Sequence, residues 1–109
     1  TAAFNKNILH VVNNLVETDF DPDAFKHIAY FNEIESRIEM HLEAKRNMVI
    51  QSHLLDKEIF LVAGETIHTE NSYKFSPDQI MGLAVSAGLT VTDVFTDPDH
   101  LFSLVQLNK

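Results

Sequence analysis

Residues 36–45 alternate between two kinds of side chain, and this alternation constrains the fold more than any other feature of the sequence. One set of positions is mostly apolar and the other is charged or polar throughout. The first set is Ser36, Ile38, Met40, Leu42 and Ala44, and the second is Arg37, Glu39, His41, Glu43 and Lys45. A period of two is typical of a strand with one face against a core and the other toward water. It predicts an antiparallel strand, with residues 27–31 and 47–53 as its neighbours.

The sequence on both sides of this region has helical periodicity. Residues 4–16 carry apolar side chains at helical spacing, namely Phe4, Ile8, Val11, Val12 and Leu15. They predict an amphipathic helix, followed by a short helical turn that begins near Pro22. Ser76 to Gln79 predict a second helix with an N-cap serine, a first-turn proline and a capping box. Its predicted buried stripe is Ile80, Leu83, Ala84 and Ala87, and Gly88 is expected to end it.

The remaining segments predict two hairpins. Residues 58–62 and 65–75 are expected to pair across Gly64, which supplies a permissive turn residue. Residues 89–95 and 101–107 are rich in strand-forming side chains and flank a turn at Asp97-Pro98. The order of elements predicts an α+β fold: a packed antiparallel sheet, then a helix leading into a separate two-stranded hairpin.

Composition excludes several classes of protein. The chain has 109 residues, is 45% hydrophobic, has a formal net charge of −8 and contains no cysteine. The negative charge argues against nucleic-acid binding and attraction to anionic membranes. No apolar run reaches the roughly 20 residues of a membrane span. The lack of a signal peptide and of cysteine fits the cytoplasm, where we expect the protein. The start at Thr1-Ala2-Ala3-Phe4, already inside a helical pattern, predicts a piece of a longer protein.

A candidate binding site lies in the segment from His68 to Phe75. Glu70 and Ser72 are two residues apart and should share one strand face, opposite Ile67, Tyr73 and Phe75. A carboxylate beside a hydroxyl can hold a small ligand with two hydrogen-bonding atoms, such as an imidazole ring. Two other interpretations stay open. One is a solvated strand face, and the other is a metal site using His68, expected on the Glu70 face, and His41 on a neighbouring strand.

Several segments together resemble the histidine-specific Nα-methyltransferases of ergothioneine biosynthesis. The resemblance covers essentially the whole chain with its spacing intact. The segments are Thr1-Ala2-Ala3-Phe4-Asn5, Asp19-Phe20-Asp21, Asp23-Ala24-Phe25, Ile38-Glu39-Met40, Ala63-Gly64-Glu65, Thr69-Glu70, Lys74-Phe75 and Asp97-Pro98. The closing helix and strand pair are similar to the end of a class I S-adenosylmethionine-dependent methyltransferase.

The resemblance implies specific roles in binding the substrate L-histidine. Glu70 and Ser72 would grip the imidazole, Met40 would pack beside the ring, and Thr1 would approach the same side of the pocket. It also implies that residues 1–75 belong to a substrate-recognition α+β domain and residues 76–109 to the end of the methyltransferase domain. No residue of the chain is expected to be catalytic.

The resemblance further implies that S-adenosylmethionine binds outside this chain, on a preceding N-terminal part of the same protein. The chain alone is therefore expected to be inactive, and strand edges left exposed favour its self-association. The alternative is a small ligand-binding or regulatory α+β domain without catalytic activity.

Overall fold

The computed structural model describes residues 1–109, which form two helices and seven strands. The helices are α1 (Ala2–Val16) and α2 (Pro77–Ser86), and a 3-10 turn spans Pro22–Ala24. The strands are β1 (Phe25–Asn32), β2 (Arg37–Ala44), β3 (Met48–Ser52), β4 (Lys57–Leu61), β5 (Thr66–Tyr73), β6 (Thr90–Thr96) and β7 (Ser103–Asn108). All strand pairs are antiparallel. The predicted α+β class is therefore confirmed.

The chain divides into two compact units, Thr1–Tyr73 and Lys74–Lys109. The predicted boundary after residue 75 falls two residues later than this division, and the roles assigned to the two parts remain a prediction. Neither helix is long and apolar enough to cross a membrane.

The first unit is built around a three-stranded sheet with the order β1-β2-β5. The predicted strand at residues 36–45 is its central strand, and the predicted neighbour at residues 27–31 is β1. Helix α1 covers one face of this sheet. Its Leu9 packs with Phe25, Leu42 and Ala44 in a buried cluster, because the apolar row of β2 faces the helix. The predicted helix and the two-faced central strand thus meet in one core. The predicted apolar stripe of the helix is mostly exposed, however, with Phe4 and Leu15 each 68% exposed, and the apolar helix residue buried in the core is Leu9.

The predicted hairpin between residues 58–62 and 65–75 is wrong. Strand β4 pairs with β3 to form its own two-stranded sheet, whereas β5 pairs with β2. Consequently residues 47–53 are not a neighbour of the central strand either. The turn at Gly64 explains the difference: the Gly64 N–H donates to the Ala44 carbonyl at 2.8 Å, and the Ala44 N–H donates to the Glu65 carbonyl at 2.8 Å. These bonds direct the chain away from β4 and along the open edge of β2.

The second unit contains α2 and the β6-β7 hairpin. The predicted capping box is present, with the Gln79 N–H donating to the Ser76 hydroxyl and the Ser76 N–H donating to the Gln79 side chain. Gly88 follows the helix with a φ of 72°, as expected of a left-handed cap. Of the predicted buried stripe only Ala84 is buried, and Leu83 is 54% exposed. A two-stranded sheet is too narrow to cover the whole apolar face of this helix.

Candidate functional site on the helix-covered face of the sheet

Glu70, Ser72 and Met40 lie on one face of the β1-β2-β5 sheet. Met40 is the register partner of Glu70, and Ile38 is the partner of Ser72. Residues paired directly across antiparallel strands project to the same side, and this is the side on which Leu42 meets α1. The predicted common face of Glu70 and Ser72 is therefore present, while their roles in binding remain a prediction.

Glu70 borders a concavity between β5 and α1. The concavity has a volume of about 180 Å³, and its lining includes Thr69, Glu70 and, from the helix, Phe4, Asn5 and Ile8. The carboxylate of Glu70 makes no hydrogen bond or ion pair within the chain, so both oxygens can accept bonds from a ligand. One charged acceptor beside an apolar helix face suits a small ring that carries an N–H group.

The other predicted residues lie at different distances from this concavity. Met40 and half-buried Ser72 flank Glu70 on the sheet face but do not line the concavity. Thr1 is exposed at the N-cap of α1 and makes no capping hydrogen bond with its side chain. Its carbonyl accepts the Asn5 N–H at 2.9 Å, so it lies one helical turn from the lining. The fold thus brings Glu70, Met40 and Ser72 together on one sheet face, and the role of Thr1 remains a prediction.

A β-bulge in β5 corrects two details of the predicted site. Met40 pairs with Glu70, but His41 pairs with His68, so Thr69 is an extra residue in β5. Ile67 pairs with Leu42 and thus shares the face of Glu70, which contradicts its predicted place opposite. His68 lies on the other face, which contradicts its predicted place beside Glu70. Strict alternation assigns both residues to the wrong face, because it assumes that no extra residue interrupts the strand.

Glu39, on the second face of the sheet, is a buried carboxylate that sequence reasoning did not single out. It is only 4% exposed. One carboxylate oxygen accepts the Tyr30 hydroxyl at 2.9 Å and lies 3.0 Å from Nε2 of His41. The other oxygen accepts Nε of Arg37 at 2.8 Å and Nδ2 of Asn32 at 2.9 Å. The Arg37 bond first, and then the Asn32 bond, hold the pKa of Glu39 far below its usual range against the opposing effect of burial.

Two histidines stack beside this carboxylate. The rings of His41 and His68 are 4.4 Å apart between centroids, and Nε2 of His68 is 3.8 Å from Glu39. The potential ligand atoms of these three residues lie within 4.8 Å of one another. The Glu39 oxygens, however, already accept bonds from Arg37 and three other side chains, and a guanidinium this close repels a cation. The geometry therefore favours a hydrogen-bonded network over the metal site.

The sequence carried one signal for this network, the row of polar residues along β2. This row alone does not show which residues of β1 lie opposite it, and that requires the register of the β1-β2 hairpin. That register places Tyr30 opposite Glu39 and Asn32 opposite Arg37, and so gathers donors around one carboxylate.

All of residues 1–109 match the family of histidine-specific, SAM-dependent methyltransferases. The chain belongs to this family. It is 45% identical over 104 residues to the histidine N-alpha-methyltransferase of Mycolicibacterium smegmatis and 41% identical over 104 residues to that of Mycobacterium tuberculosis. Each alignment covers 95% of this chain but only 32% of the relative, so the chain spans about a third of their length.

The cofactor of this methyltransferase family does not fit the residues of the chain. Nucleotide-like cofactors commonly bind where a glycine-rich loop joins a strand to a helix. Gly64 lies in a turn between strands with a φ of 94°, Gly82 lies inside α2, and Gly88 follows its C-terminus. None of the three forms a loop of the required kind, and α2 begins instead with Ser76 and Pro77.

Proposed function

We propose that the protein carrying this chain methylates the α-amino group of L-histidine, and that residues 1–109 supply recognition of the imidazole. The observation that carries the proposal is the placement of Glu70, Ser72 and Met40 on one sheet face beside α1. The family match and the names of the two similar proteins support the methyltransferase over a ligand-binding domain without catalytic activity. S-adenosylmethionine then binds residues outside this chain.

The proposed roles follow from the chemistry of the three side chains. The Glu70 carboxylate accepts an imidazole N–H, and the Ser72 hydroxyl bonds the second ring nitrogen as donor or acceptor. Met40 offers a flexible, polarizable surface to the ring. Transfer to an amine depends on the alignment of that amine with the methyl donor, so fixing the far end of the substrate presents the amine reproducibly.

The same contacts account for selectivity. A substrate with an apolar side chain would bury the Glu70 carboxylate without a partner, and an unpaired charge in a closed site is costly. Glu70 is exposed in this chain, so the proposal requires that bound substrate and the rest of the protein cover it.

A methylation assay of the full-length protein against a panel of amino acids tests the proposal. We expect preference for histidine over amino acids of similar size. Glu70→Ala should lose about 2–4 kcal/mol of transition-state stabilisation for histidine, roughly 30- to 1,000-fold in kcat/KM. Glu43→Ala is the matched control, because Glu43 pairs with Thr66 on the opposite sheet face. If Glu70→Ala stays within about twofold of the unmodified enzyme, Glu70 is only a surface carboxylate and the proposal is wrong.

A further inference from the structure

The bulged residue Thr69 decides which way Glu70 points. Ile67 faces α1 as the partner of buried Leu42. Without an inserted residue, alternation from Ile67 would turn Glu70 and Ser72 to the opposite face, with Glu39. The bulge adds one residue between His68 and Glu70 and so returns both side chains to the helix-covered face.

The bulge is held by side-chain hydrogen bonds on both of its sides. The Thr69 hydroxyl lies 3.0 Å from the Met40 carbonyl and also contacts Oδ1 of Asn5 on α1. A hydroxyl has a single proton, so these two acceptors share it. Both contacts fix the inserted residue, one to the neighbouring strand and one to the helix above.

Asn5 connects the helix to all three strands. It is 3% exposed although it is polar. Besides its contact with Thr69 on β5, its Nδ2 donates to the His41 carbonyl on β2 at 3.1 Å and lies 2.8 Å from Nδ1 of His27 on β1. A carbonyl can only accept, which places the amide nitrogen of Asn5 toward His41 and its oxygen toward Thr69. Every polar atom of this buried side chain therefore has a partner.

We propose that Thr69 and Asn5 are positioning residues for histidine recognition, acting through Glu70. The inference rests on the proposed function above and extends it to residues that need not touch the imidazole. Both residues also border the concavity beside Glu70, so a change in the bulge alters the position of the carboxylate at this concavity.

The test uses the full-length enzyme and changes only the hydroxyl. Thr69→Val keeps the branched shape and removes the shared proton, whereas Thr69→Ser keeps the hydroxyl. We expect Thr69→Val to raise KM for histidine at least about tenfold and to reduce selectivity for histidine over phenylalanine, with S-adenosylmethionine affinity by calorimetry unchanged. Thr69→Ser should restore KM to within about threefold. If Thr69→Val does not fold, as judged by circular dichroism, Thr69→Ala is measured and interpreted in the same way.

A double variant separates this inference from the proposed function. If Thr69 acts through Glu70, Thr69→Val combined with Glu70→Ala should be no worse than Glu70→Ala alone. Additive losses would overturn the positioning role. If Glu70→Ala impairs histidine methylation and Thr69→Val leaves KM unchanged, only this inference fails. If Glu70→Ala has no effect, the proposed function fails first.

Discussion

Replacing Leu42 with alanine tests the packing that presents the candidate site. Leu42 is fully buried and lies two residues from Met40 on the face covered by α1. Its neighbours in the core include Leu9 of the helix, Phe25 of β1 and partly buried Ile67 of β5. The substitution therefore removes contacts between the helix and every strand of the sheet.

The expected loss of stability follows from this complete burial. The change removes three carbon atoms from the core, worth about 2.4 kcal/mol in transfer free energy at about 0.8 kcal/mol each. Paired strands cannot close a gap in the middle of a sheet, so a cavity adds to the loss. We expect a total of about 3–4 kcal/mol, within the usual range of about 2–5 kcal/mol for Leu→Ala in a core. Such a loss is a large part of a net stability of about 5–15 kcal/mol.

Hydrogen–deuterium exchange of β2 peptides measures this loss where it occurs. A decrease of about 3 kcal/mol should raise the exchange rate of the most protected amides roughly 100-fold. Leu54→Ala is the control, because Leu54 is 57% exposed in the turn between β3 and β4 and should change stability by no more than about 0.5 kcal/mol. Equal protection in the two variants would refute the described core.

Three further results are expected. Because the pKa of Glu39 is lowered in the folded state, its contribution to stability is complete above about pH 4.3, its unfolded pKa, and is lost as the pH falls further. Urea titrations should show that the free energy of unfolding of Glu39→Gln falls less steeply below that pH than that of the unmodified protein. An equally steep fall in the two proteins would contradict the network around Glu39. Ser76→Ala should destabilise α2 by about 1 kcal/mol, visible as faster amide exchange in its first turn, because it removes the capping box. The isolated chain should not bind S-adenosylmethionine, and calorimetry that finds a micromolar dissociation constant would contradict our placement of the cofactor.

Local patterns were sufficient wherever neighbouring residues decide the outcome. The alternation around Met40 identified β2 and its two faces, and the capping residues Ser76 and Gln79 identified the start of α2. The spacing of Glu70 and Ser72 identified two side chains on a common face because no irregularity lies between them. Their proximity to Met40 followed from the resemblance and is reproduced by the strand register.

The sequence by itself thus determined the elements, the α+β class and the pair of polar side chains at the candidate site. Only the tertiary structure decided which strand β5 pairs with, and where that pairing is interrupted. The bulge at Thr69 depends on Asn5, which is 64 residues away along the chain, and the burial of Glu39 depends on donors from the neighbouring strand. A periodicity records the environment of a residue averaged over its own segment. It holds no information on a hydrogen bond whose partner comes from a distant segment, and such bonds determine the orientation of Glu70.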